Sequence, residues 1–323
     1  MAQCSTAPLG QASILRVALT ALLIVPSACN DTATSFSGTG AGGTATSMPS
    51  TGVTSGTTET GGAATATSTG PMLAMVATNV TLTPASNTTC NFPAPYNGNA
   101  SLTWYLFSQG STAVNCSFRL TNNNPDQVEF ALGDGQYFAA MNTADYNLAA
   151  MCGACVEVTR DGARTVSAMV VDQCPVGSNP KCTAGHLDLS KSAFLQVGSE
   201  VDGYVGAGNG AAVGTVSFRY IPCPSVGNVF VRPKEPRNRY WNEFLVENHR
   251  TPILKFEAFI SPNWVPGVRK DYNYFNINGG APGLPAQVRI TDVNGSVIEA
   301  TLPIMSNGES RFDLGVQFPA CVP

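Results

Sequence analysis

Charge is scarce in this chain. Only 12% of its 323 residues are Asp, Glu, Lys or Arg, 21 acidic against 17 basic, and no run of Lys or Arg occurs anywhere. Without a basic patch there is nothing to hold nucleic acid or an anionic membrane surface by charge, so the expected partner is a neutral polymer. Histidine is almost missing as well. His186 and His249 stand far apart, with no Ser/His/Asp arrangement or His cluster around either, and both are read as structural. Long apolar runs are lacking too. Ile14 to Ala28 (ILRVALTALLIVPSA) is apolar apart from Arg16 and is too short for a membrane span. Its position and the small residues before Cys29 give it the shape of a secretory signal. Ser27-Ala28-Cys29 also fits a lipoprotein cleavage box, with Pro26 where a Leu is usual, so plain cleavage and lipidation at Cys29 both stay open. Either route takes the protein out of the cytoplasm, secreted or anchored at the outer cell surface.

Export decides how the ten cysteines are read. Cys4 and Cys29 lie in or at the end of the targeting segment, which leaves Cys90, Cys116, Cys152, Cys155, Cys174, Cys182, Cys223 and Cys321. An even set in an oxidising compartment reads as disulfides. The rival reading is a zinc site from Cys152-Gly-Ala-Cys155 with Cys174 and Cys182, but the gap within the second pair is wrong for a zinc ribbon. No metal and no cofactor are therefore expected, and the connectivity stays open.

The organisation along the chain follows from composition. Residues 1–29 form the signal. Residues 30–74 are Thr, Ser, Gly and Ala with almost no large apolar side chain, a tether that buries too little surface to offset its ordering entropy. From 75 to 224, short apolar runs are broken by Gly, Asn and Pro: SLTWYLF (101–107), ACVEVT (154–159), RTVSAMVVD (164–172) and GTVSFRYIP (214–222) read as strands. Ser190 is placed to cap a short helix through Val197. From 225 to 323 the pattern is again all strands. Asn294-Gly295, between alternating apolar residues, predicts a hairpin with a type I′ turn, and the strand count suggests a β-sandwich.

Three motifs in fixed order, CGACVEV (152–158), VVDQCP (170–175) and GHLDLS (185–190), resemble the first domain of expansins. The segment VRPKEPRNRYWNEFLVENHRTPILKFEAF, followed by NW and KDYNYF (231–275 in all), resembles the second domain of bacterial expansins. The resemblance spans roughly 95–323. It implies an all-β chain: a six-stranded double-psi β-barrel followed by an immunoglobulin-like β-sandwich, packed so that one open face lies along a polysaccharide. It also implies a monomeric, non-hydrolytic plant-cell-wall-loosening protein acting on cellulose, with other wall polysaccharides or peptidoglycan as further partners.

Asp188 matches the acid that expansins share with family-45 endoglucanases. Inverting hydrolysis needs a protonated carboxyl at the leaving oxygen and a second carboxylate that activates water. In those enzymes the base follows the first barrel strand; here no Asp or Glu occurs from Asn91 to Pro125, and Phe107 stands near its place. The chain therefore reads as no enzyme, with an endoglucanase or a peptidoglycan lytic transglycosylase as the alternative and a plain carbohydrate-binding module as a third. Thr103 and Asp172 match further groove residues. Set against this, Asp172 also fits a turn cap before Pro175, and Asp188 the start of the following helix. Cys174 occupies a position where bacterial relatives often carry Tyr, so a disulfide is expected to replace any stacking there. Tyr240, Trp241 and Tyr272, with Lys234 beside them, match the cellulose-binding strip, in which aromatic rings stack on the C–H faces of sugars. Tyr240 takes the place of a Trp. Neighbours such as Tyr240 and Trp241 point to opposite faces of a regular strand, so both can face out only at a strand end or bulge. Trp264 falls outside the strip, and the resemblance implies a structural role for it.

Overall fold

The computed structural model describes residues 74–106, 114–121, 124–128, 137–208, 210–224, 227–234, 242–277, 284–305 and 310–323. The described chain opens with two short strands, β1 (Ala74–Val76) and β2 (Thr78–Thr83), before it enters the first domain. There the strands are β3 (Tyr96–Tyr105), β4 (Leu120–Thr121), β5 (Asn124–Val128), β6 (Phe138–Asn142), β7 (Cys155–Arg160), β8 (Arg164–Cys174), β9 (His186–Ser190), β10 (Val205–Gly206) and β11 (Val216–Ile221). Six of them close on themselves in the order β3-β11-β7-β8-β6-β9, with β9 returning to β3. Two of the pairings, β3 with β9 and β6 with β8, are parallel, and the others are antiparallel. This is the double-psi barrel.

Its interior is filled by alternate residues of each strand, among them Leu102, Val156, Val158, Val170 and Leu187, all buried. The Cys116–Cys152 and Cys155–Cys223 disulfides are buried in the same core. Helix α1 (Thr143–Tyr146) follows β6, and α2 (Lys191–Val197) follows β9, packing Ala193, Phe194 and Val197 onto the barrel. Ser190 does stand at the N-cap position of α2, yet its side chain makes no capping bond. Asp188 lies on β9, two residues before that cap.

The second domain comprises β12 (Phe230–Pro233), β13 (Asn242–Glu247), β14 (Ile253–Ile260), β15 (Asn263–Pro266), β16 (Val268–Arg269), β17 (Phe275–Ile277), β18 (Ala286–Asp292), β19 (Val297–Leu302) and β20 (Arg311–Asp313). Among the described residues they form two sheets, β1-β20-β12-β13-β17-β16 and β15-β14-β18-β19-β2. Between them Phe244, Phe256 and Phe275 stack in series at 5.2 and 5.7 Å, each pair adding about 1 kcal/mol to the burial of the rings.

Two expectations change here. The segment from residue 75 was assigned to the barrel, but β1 pairs with β20 and β2 with β19, so residues 74–83 complete the sandwich and cover its core with Met75, Ala77, Val80 and Leu82. The Cys90–Cys321 disulfide then fastens this lead-in to the end of the chain. The hairpin at Asn294-Gly295 is present, but its turn is not type I′, because only Gly295 has positive φ. The Asp292 carboxylate accepts hydrogen bonds from the amides of Asn294 and Ser296 and from the Thr251 hydroxyl, and the Gly295 amide donates back to Asp292 O. A buried carboxylate that captures three donors outweighs the local Asn-Gly preference.

The described residues, from 74 to 323, fall in one compact unit. Between barrel and sandwich, the Ser117 hydroxyl donates to Tyr272 O, Asn273 Nδ2 to Cys116 O, Arg232 to Ser117 O and Arg269 to Ala149 O. Gly153 of the CGAC motif has φ +73°, and an added Cβ would sit 2.5 Å from the His249 ring, so glycine is required both for the turn and for the close approach of the sandwich.

Candidate functional site

Barrel topology brings the groove residues into one row. β3 and β9 run parallel in a register that sets Thr103 opposite Asp188, Ala140 on β6 lies opposite Asp188, and Asp172 on β8 lies opposite Ala140. Residues far apart in sequence thus line up across four strands. Thr103 Oγ1 donates to Asp188 Oδ1 at 2.7 Å. The amides of Asn115 and Gln173 donate to Asp172 Oδ1 at 2.9 and 2.8 Å, so Asp172 does cap local backbone as well as lining the row.

Burial pushes the Asp188 carboxyl up to about 6; the Thr103 hydroxyl works against this and the Asp172 charge adds to it. Asp172 is raised by burial too, with the Asn115 and Gln173 amides opposing. Neither carboxylate has a cationic partner among the ion pairs of the described residues. The Cys174–Cys182 disulfide closes a loop beside this row. Cys174 Sγ lies 3.8 Å from Asp188 Oδ2, and Asn179 Nδ2 reaches Thr103 Oγ1 at 3.4 Å.

His186 joins the same network. It is fully buried, with Nε2 2.9 Å from Thr103 Oγ1 and Nδ1 2.9 Å from Ser101 Oγ. Burial, with Lys181 adding to it, lowers its pKa to about 4, so the ring is neutral. Because the Thr103 hydroxyl gives its proton to Asp188, its oxygen must accept from His186 Nε2–H, which leaves Nδ1 to accept from Ser101. The hydrogen-bond chain therefore runs Ser101, His186, Thr103, Asp188.

On the sandwich, Tyr272 sits in the hairpin between β16 and β17, and Lys234 follows β12. Lys234 Nζ lies 4.1 Å from the centre of the Tyr272 ring and donates to Glu243 Oε2 at 2.7 Å. The Tyr272 hydroxyl donates to Glu243 Oε1 at 2.9 Å. Burial raises the Tyr272 hydroxyl, Glu243 adds to this and Lys234 opposes it. Burial alone would lower Lys234, but Glu243 and Tyr272 outweigh it and hold the ammonium above its ordinary value. Tyr240 and Trp241 lie outside the described residues, as does Phe107. Trp264 is on β15, in the other sheet from Tyr272. The eight candidate cysteines form four disulfides, 90–321, 116–152, 155–223 and 174–182. Among the described residues no group of three or more His, Cys, Asp and Glu is placed to hold a metal ion.

The sequence is 33% identical over 178 residues to expansin YoaJ of Bacillus subtilis, covering 53% of this chain and 69% of that one. It is 30% identical over 237 residues to expansin-like protein 5 of Dictyostelium discoideum, covering 71% and 89%. The chain belongs to the expansin family. No family model matches the sequence. Among solved structures, the expansin of Clavibacter michiganensis aligns with a TM-score of 0.55 and 27% identity over 70% of this chain and 98% of that one. A mutant of the Clavibacter expansin, solved in complex with cellohexaose, aligns with the same TM-score and 26% identity.

Three residues of this expansin escaped the sequence reading. Ser101 shares a face of β3 with Thr103 by the two-residue period, but its partner His186 lies on a strand that pairs in parallel from far along the chain. Glu243, only 1% exposed, is the common acceptor for Lys234, Tyr272 and Asn276. Its place two residues after Trp241 was the available signal. Asn115 joins groove to strip: its amide caps Asp172 and its side chain donates to Asp271 O, next to Tyr272.

Proposed function

We propose that this expansin is exported and loosens plant cell wall without hydrolysis, binding cellulose through Lys234, Tyr240, Trp241 and Tyr272 and engaging a glucan chain in the groove at Thr103, Asp172 and Asp188. The observation that carries the reading is the state of Asp188. It is an acid with a pKa near 6, bonded to Thr103, on a barrel whose first strand and flanks offer no carboxylate from residue 91 to 125. One oxygen of Asp172, the other carboxylate in the row, is engaged by two amides. A protonated Asp188 is a hydrogen-bond donor aimed at sugar hydroxyls, and it competes with the bonds between neighbouring chains without cleaving either. The cellohexaose bound by the Clavibacter relative supports a glucan as the ligand. A net charge of −4 favours neutral cellulose over anionic pectin or peptidoglycan.

The test pairs reducing-sugar release from amorphous cellulose with the weakening of cellulose paper under load, using the wild type and Asp188→Asn. Weakening without sugar release, abolished in the variant, is expected. Sugar release abolished in the variant would overturn the non-hydrolytic reading and favour an endoglucanase-like enzyme.

A further inference from the structure

The outer face of the sheet β15-β14-β18-β19-β2 carries a groove that neither the aromatic strip nor the barrel uses. Its floor is ordered by strand register. Glu257, Arg289, Glu299 and Thr81 are successive cross-strand partners on β14, β18, β19 and β2. The adjacent row pairs Trp264 with Phe259 and Gln287 with Thr301. The groove encloses about 210 Å³ between Trp264, Gln287, Glu299, Thr301, Asn79 and Thr81. Crossing five strands, it runs about 19 Å, four strand spacings, from Trp264 to β2.

The wall of this groove is braced from within. Arg289 binds the Glu257 carboxylate through two nitrogens, at 2.9 and 3.0 Å, and its guanidinium lies 4.5 Å from the centre of the Trp264 ring. Phe259 meets the same ring edge-on at 5.4 Å. Gln287, by contrast, is exposed, and its amide makes no hydrogen bond among the described residues. Thr81 is likewise exposed, and Asn79 reaches only Thr301, at 3.5 Å. The charges on this face balance, Arg289 and Lys255 against Glu257 and Glu299, so the face has no net attraction for an ionic ligand.

A fixed indole at one end, exposed amides and hydroxyls along the floor and cancelled charge together match one ligand class. A sugar presents an apolar C–H face to an aromatic ring and a rim of hydroxyls to planar amides and carboxylates. An acidic glycan would meet Lys255 but also the carboxylates of Glu257 and Glu299 on the same face, and an apolar peptide would bury the Gln287 amide without a partner. We propose that this groove is a second saccharide-binding site, which takes a neutral glycan chain across β15, β14, β18, β19 and β2, on the sheet opposite the one that holds Tyr272. The site stands apart from the strip and does not need it.

The experiment titrates cellohexaose, xylohexaose and hexagalacturonate into the full chain, into Tyr272→Ala, and into Gln287→Ala and Trp264→Ala made in the Tyr272→Ala background. Binding is read by calorimetry and by the resonances of the Gln287 side-chain amide and the Trp264 indole N–H. A neutral hexasaccharide is expected to shift both resonances even in Tyr272→Ala. Its affinity in that background should fall about fivefold with Gln287→Ala, at unchanged thermal unfolding because Gln287 is exposed, and about tenfold or more with Trp264→Ala. The proposal is overturned if neither resonance moves with either neutral probe, if Gln287→Ala leaves affinity unchanged, or if hexagalacturonate is the preferred probe. Loss of all binding in Tyr272→Ala would sink this site and leave the strip standing. Binding untouched by Tyr272→Ala but weakened by the groove variants would do the reverse.

Discussion

The barrel and the sandwich each keep a carboxylate out of water beside their candidate ligand face, and they treat it in opposite ways. Burial, with the Asp172 charge adding to it, outweighs the single Thr103 hydroxyl bonded to Asp188, so its proton is held until about pH 6. Glu243 is more deeply buried but receives an ammonium, a phenol and an amide, a complete set of donors. The first arrangement makes a group that can change state near physiological pH. The second makes a fixed anchor for the ring and the ammonium above it. Burial raises Asp188 because its one hydroxyl partner does little to oppose it, whereas the Glu243 carboxylate is held by three donors.

Breaking the anchor should have the largest effect. Glu243→Ala removes the acceptor shared by Lys234, Tyr272 and Asn276, and because Lys234 is partly solvated the expected cost is about 2 kcal/mol of stability, read by denaturant unfolding, together with weaker retention on cellulose. A variant that unfolds normally and binds cellulose like the wild type would make the two carboxylates equivalent after all.

The second test concerns the titratable side. A carboxyl whose pKa is raised on folding stabilises the fold below its unfolded value, and that contribution is lost as pH rises through the folded value, here from about 3.8 to about 6. His186 has the opposite sign: its folded pKa near 4 gives stability that is present above 6.5 and lost as pH falls through 4. His249, lowered to about 4 by burial, adds to that loss. The two signs oppose each other in one window. Asp188→Asn removes only the first, so its melting temperature should fall more steeply than the wild type's between pH 6.5 and pH 4. Parallel curves would mean that Asp188 titrates as an ordinary surface carboxyl.

The smallest effect is expected at Ser190. It occupies the N-cap position of α2 without a capping bond, but its buried hydroxyl accepts a long hydrogen bond from the Phe138 amide at 3.4 Å, so Ser190→Ala should cost about 1 kcal/mol by chemical denaturation.

How much of this was legible in the sequence depends on the range of the interaction concerned. The strand character of 154–172 follows from local period, while the barrel-then-sandwich order and the choice of Thr103, Asp172 and Asp188 follow from the resemblance to expansins. The pairing of eight cysteines did not follow, because it depends on where strands meet in space. Residues 75–83 read as part of the barrel because they precede it, whereas the partners of β1 and β2, Arg311–Asp313 and Val297–Leu302, come more than two hundred residues later. The turn at Asn294 was misjudged for a related reason: Asp292 takes a hydrogen bond from Thr251, which is remote in sequence. Ser101 and Glu243 escaped as site residues because each works through partners that are neighbours in the sheet but distant along the chain.

The Cys90–Cys321 bond also determines how the molecule carries tension. A pull applied at residue 74 runs first into β1 and β2, which are sheared against β20 and β19, and then meets a covalent stop at Cys90 that returns the force to the end of the sandwich. The barrel begins only at Tyr96, beyond that stop. Drag on the leading segment while the protein is held to a solid surface would therefore load the sandwich and leave the groove at Asp188 mechanically quiet.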